Sequence, residues 1–136
     1  GEGAFGGGAA AEEDDSLGSL EARLSNILRN TEARVASLKR EMGGLAGALA
    51  RVHEERRRCL LEVSARKRQR EELEERQGAM QEREEFEEAG LLYEQVRAAD
   101  AGIRTLDLAQ ASLSKECDAL EARRHELERE AAACWG

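Results

Sequence analysis

The sequence predicts an all-α protein, an elongated coiled coil of long helices. Three observations carry this expectation. Of the 136 residues, 37% are charged, 3% are aromatic and none is proline. Apolar residues recur every seven positions in two long blocks. The two blocks are out of phase with each other across a polar stretch near residues 78–90. A proline-free mix rich in Ala, Glu, Leu and Arg is the composition of long helices. So few rings are poor material for a β-sandwich or an α/β enzyme core, where aromatic side chains bury much of the area.

Residues 1–15 are expected to form a disordered arm. Glycine fills positions 1, 3, 6, 7 and 8, and the acidic run Glu12, Glu13, Asp14, Asp15 follows. Such a segment buries too little apolar surface to offset its ordering entropy. Asp15 or Ser16 can cap free helix amides, which places the first helix start near residue 16.

A heptad helix is expected over 16–78. Leu17, Leu24, Thr31, Leu38, Leu45, Val52 and Cys59 are spaced by seven, and Leu28, Val35, Met42, Leu49, Arg56 and Val63 form a second series four residues later. The first series takes heptad position d and the second position a. A sustained strict heptad winds helices into a left-handed supercoil. The seam weakens after Val63, where Arg66, Arg70, Gln77, Glu84 and Glu87 fall on seam positions. Gly43, Gly44 and Gly47 leave the phase unchanged. They read as a soft spot or a close-packing surface, with a turn as the lesser alternative.

The stretch 79–90 is expected to be an acidic break, with Gly78 and Gly90 as its hinge points. A second heptad helix is expected over 91–134. Its seam places Ala89, Val96, Ile103, Gln110, Cys117, Arg124 and Ala131 at a, and Leu92, Ala99, Leu106, Leu113, Leu120, Leu127 and Cys134 at d. Its register is shifted by five residues, which neither a stutter nor a stammer supplies.

The interface residues expected are therefore Leu24, Leu28, Val35, Leu38, Met42, Leu45, Leu49 and Val52 in the first block. In the second they are Ile103, Leu106, Leu113, Leu120 and Leu127. Folding the helices back on each other would set the weak stretch 66–87 against the good stretch 90–110. That mismatch favours pairing between chains, as a homo- or hetero-oligomer, over a hairpin. Polar seam residues such as Thr31, Arg56, Gln110 and Arg124 can fix register at a cost in stability.

Charge excludes some functions. The net charge is −8, the wrong sign for a chain that binds nucleic acid as a whole. Residues 51–70 nevertheless hold eight bases against three acids, and residues 71–88 hold nine acids against two bases. Arg56, Arg57, Arg58, Arg66, Lys67, Arg68 and Arg70 could dock an acidic partner: a nucleic acid, a microtubule or an anionic membrane. The plainer reading is a solvated helical face, since no groove-fitting motif or stacking aromatics accompany the charge.

No catalytic residues, cofactor or small-molecule substrate are expected. His53 and His125 lack partners at ligand spacing, so no metal ligands are assigned. Phe86, Leu91, Leu92 and Tyr93 cluster at the break, as a docking knob or a hydrophobic cap. Three widely spaced cysteines suit a reducing, intracellular compartment, cytoplasmic or cytoskeletal before nuclear. No transmembrane or secretory segment is visible, and a start at Gly1 rather than Met is expected of a fragment or processed product. The function expected is that of a non-enzymatic scaffold assembling through coiled-coil pairing within a larger cytoskeletal or tethering assembly.

Overall fold

The computed structural model describes the backbone of residues 2–135 and the side chains of residues 16–134. It holds two helices, α1 over Glu2–Glu82 and α2 over Phe86–Trp135, and no strand among the described residues. The fold is all-α, with the helices packed on each other. The expected disordered arm, 1–15, and its boundary near residue 16 lie outside the residues whose side chains are described. The chain divides into two compact units, Leu45–His125 and Gly1–Gly44 with Glu126–Gly136.

The unit Leu45–His125 is an antiparallel helical hairpin. Leu45, Leu49, Val52, Cys59, Val63 and Leu73 are buried on α1, and Ala89, Leu92, Val96, Ile103 and Cys117 on α2. All of these are heptad a or d positions. Leu73, Leu92 and Val96 form a core cluster, with Met80 packed against it. Further along, the Cys59 thiol donates to the Leu106 carbonyl at 3.4 Å.

The helices therefore fold back on each other, the arrangement that the mismatch between stretches 66–87 and 90–110 argued against. The mismatched layers are accommodated in two ways. Leu73 and Met80 meet the apolar Leu92 and Val96 directly. At seam positions 66 and 70, one turn before Leu73 and further back, two arginines face small or acidic residues of α2. Arg70 reaches Asp100 on α2, and Arg66 lies over Gly102, where an added Cβ would stand 2.9 Å from its Nη1.

The reversal falls within the expected break near 78–90 but not at the expected hinge glycines. Gly78 and Gly90 lie inside the helices, and the chain reverses at Arg83–Glu85. The Glu85 amide donates to the Met80 carbonyl at 2.9 Å, and the Glu84 amide to the Gln81 carbonyl at 3.1 Å. These two bonds define a Schellman cap with Glu84 at the left-handed C′ position, at φ 59°. Glutamate there carries the steric strain that glycine avoids. The turn falls where the two heptad phases end, so the five-residue shift is the change from one helix to the next. Glu87 and Glu88 lie in the first turn of α2, where the helix dipole favours negative charge.

In the other unit, Arg34 forms an ion pair with Glu130. Leu38 and Leu127 are each 1% exposed, and Ala131 is buried. The register set by the ion pair brings Leu38 opposite Leu127. Gly43 and Gly44 lie at the division between the units on α1. A Cβ added at Gly43, Gly44 or Gly47 would meet nothing within 4 Å. These residues are therefore neither a turn nor a close-packing surface.

Replacing Glu84 with Gly should raise the unfolding free energy by about 1 kcal/mol, by removing the left-handed strain. Gly78→Ala and Gly90→Ala should each add up to about 1 kcal/mol through helix propensity. Urea midpoints at constant slope read both effects. A destabilised Gly78→Ala or Gly90→Ala protein would show that the glycine serves as a hinge.

Candidate coiled-coil interface

Within Leu45–His125 the seam carries a polar layer near its middle, apart from the arginines at 66 and 70. Arg56 and Gln110 are both half-buried at a positions. The Cys59–Leu106 contact sets a register that brings them into neighbouring layers. Arg56 Nε and Gln110 Oε1 are buried with no hydrogen-bond partner. One is a donor and the other an acceptor, so each lacks what the other offers. Such a pair weakens the seam and specifies its register, because any slipped pairing would set these groups against apolar layers. Thr31 and Arg124, also at seam positions, are exposed.

Four of the seven basic residues of the segment, Arg57, Arg58, Arg66 and Arg70, pair with acids, Arg57 and Arg58 sharing Glu54. Arg57 Nη2 donates to Glu54 at 2.7 Å, and Arg58 Nε lies 3.5 Å from the same carboxylate. Arg66 pairs with Glu62 at 3.2 Å and Arg70 with Glu74 at 3.1 Å. The Arg57 hydrogen bond, aided by the Arg57 and Arg58 charges, holds Glu54 below the usual carboxylate pKa. Arg70 Nε lies 2.5 Å from Asp100 Oδ1 without hydrogen-bond alignment. Pairs as exposed as these contribute little to stability. Lys67 and Arg68 are exposed on the same helix. Acids one turn away on the helix partner Arg57, Arg58, Arg66 and Arg70.

The clearest uncovered surface is in the unit containing Gly1–Gly44. Leu17, Leu20, Leu24, Ile27 and Leu28 are 49% to 62% exposed. They lie on one side of α1 at spacings of three and four, with three apolar positions per heptad around Leu24–Leu28. A face that wide is built to pack against other helices. Val35 and Met42 are half-buried where α2 runs alongside. Of the residues expected at the interface, Leu24 and Leu28 thus lie on this open stripe. Val35, Leu38, Met42, Leu45, Leu49 and Val52 lie against α2. On α2, Ile103 and Leu127 are buried, and Leu106, Leu113 and Leu120 half-buried.

Other singled-out residues separate. Leu92 is core, whereas Phe86, Leu91 and Tyr93 are exposed. The Arg97 guanidinium stands 6.0 Å from the Tyr93 ring centre. The three cysteines are free thiols, and Cys59 and Cys117 are buried. The fold also makes a grouping that linear spacing hid. His53 from α1 meets Cys117 and Glu121 from α2, their ligand atoms lying within 4.8 Å of one another. His53 is 64 positions from Cys117 along the chain, so only the antiparallel register brings them together. No helix among the described residues is long and apolar enough to cross a membrane. No protein-family model, curated protein or solved structure matches the chain.

Replacing both Arg56 and Gln110 with Leu should stabilise the hairpin by about 1–3 kcal/mol, since two buried unpaired groups are removed. Urea unfolding measures the gain. The loss of register specificity should appear as doubled or broadened amide resonances. In a double-mutant cycle, Arg70→Ala and Asp100→Ala should couple by about 0.5–1 kcal/mol, less at high salt.

Proposed function

We propose that the chain is a non-enzymatic structural protein, a helical hairpin that assembles with further helices through the exposed stripe of α1. The observation that carries this reading is the stripe itself: five large apolar residues, Leu17 to Leu28, each about half exposed or more. Soluble proteins rarely leave a contiguous apolar face of this length uncovered. The occupant proposed is the same stripe of a second copy, in the self-complementary contact of a two-fold dimer. Two such stripes would bury about 1,000 Å² in total, near the minimum for a specific interface.

The charged faces would then select partner and stagger more than they add affinity. Large assemblies of the cytoskeletal or tethering kind use such modules. Three free thiols and no disulfide suit work in a reducing compartment.

Light scattering on a sizing column should give a dimer or larger species that dissociates on dilution. Leu24→Asp with Leu28→Asp should yield a monomer with the hairpin helicity retained, because both residues lie outside the intrachain seam. Leu38→Asp should instead lower the melting temperature, since that residue is 1% exposed. A wild-type chain that remains monomeric at high concentration would overturn self-assembly as the function of the stripe.

A further inference from the structure

We propose that His53, Cys117 and Glu121 form a binding site for a zinc-class divalent ion that clips α1 to α2. Their ligand atoms lie within 4.8 Å of one another, and no other grouping of three such residues occurs among the described residues. Cys117 is 3% exposed at a seam position. Glu121 lies one turn further along α2, with its Oε1 3.8 Å from Cys117 Sγ. His53 approaches from α1 on the exposed flank of the seam.

The donor set selects the metal. Imidazole, thiolate and carboxylate together are ligands for zinc or cobalt, whereas calcium and magnesium take oxygen alone. Around a tetrahedral ion, bonds of about 2.0–2.3 Å place ligand atoms roughly 3.3–3.8 Å apart. Cys117 and Glu121 already stand at that separation, at 3.8 Å. The remaining closure, about 1 Å, is within reach of an exposed histidine turning about its two side-chain bonds. Three protein ligands leave a fourth position, on the solvent side, for water.

Binding is a ligand exchange without electron transfer. Hydration waters leave the ion as the protein ligands bind, and the Cys117 S–H bond breaks, its proton passing to solvent, as the sulfur–metal bond forms. Neutral His53 gives a nitrogen lone pair, and Glu121 binds as carboxylate. The clip would lie within two turns of the Arg56–Gln110 layer, the weak point of the seam. Because both helices supply ligands, the ion binds the folded hairpin in preference to the unfolded chain and stabilises it by mass action.

The test is titration of the reduced, metal-free full chain with Co²⁺ and then Zn²⁺. One cobalt ion should bind per chain, with sulfur-to-cobalt charge-transfer absorption and the strong visible bands of a tetrahedral site, and zinc should displace it. Zinc should also raise the melting temperature. Cys117→Ser should abolish the charge-transfer band, while Cys59→Ser and Cys134→Ser should keep it. His53→Ala and Glu121→Gln, at positions outside the core, should retain helicity and lose at least about 100-fold in affinity, the upper range for loss of a supporting outer-shell group. Absence of the thiolate band, its persistence in Cys117→Ser, or wild-type affinity in both His53→Ala and Glu121→Gln would overturn the proposal. Each readout is spectroscopic or thermal and holds whether or not the chain self-assembles.

Discussion

The structure depends on one constraint: an apolar seam along a helix has to be covered. A single helix in water has no core of its own, and most helical stability in proteins comes from packing an amphipathic face. In Leu45–His125 the cover is the second helix of the same chain, from Ala89 to Cys117. In the other unit, Leu38 and Leu127 are covered, whereas Leu17 to Leu28 are not. Intrachain cover gives the hairpin its stability, and the stripe from Leu17 to Leu28 stays exposed.

The constraint also explains the placement of charge. Seam positions 66 and 70 are arginines, yet their long stems can cover apolar surface while their heads reach water or an acid. Opposite them α2 presents Gly102 and Asp100, one leaving space and the other a counter-charge. Lysine or arginine at a seam position is thus no obstacle when the facing residues are small or acidic. Arg56 and Gln110 are a different case. Their buried atoms have no partner, and the apolar layers around them bear that cost. Register specificity is the compensating gain that a polar seam layer provides.

The reversal at Arg83–Glu85 follows the same logic. Glycine would be the easiest residue for its left-handed position, and two glycines lie within six residues of Glu84. The turn does not use them. Reversal at Gly78 would leave Met80 outside the core that holds Leu73 and Leu92, and reversal at Gly90 would break the first turn of α2. Seam packing over many residues outweighs a local strain of about 1–2 kcal/mol.

The sequence by itself determined the class, the helical content and the identity of the seam. Heptad spacing named almost every buried position on both helices, because a period of seven leaves few choices of inward face. It also located the break, through the phase shift between the blocks. Tertiary structure alone decided where the seam finds its cover. Heptads are the same whether the facing helix belongs to the same chain or another, so periodicity cannot distinguish them. It also decided that Glu84 and not a glycine makes the turn, and that His53 stands beside Cys117 and Glu121. Those contacts depend on antiparallel register, which brings together residues far apart in the chain and leaves no trace in local spacing.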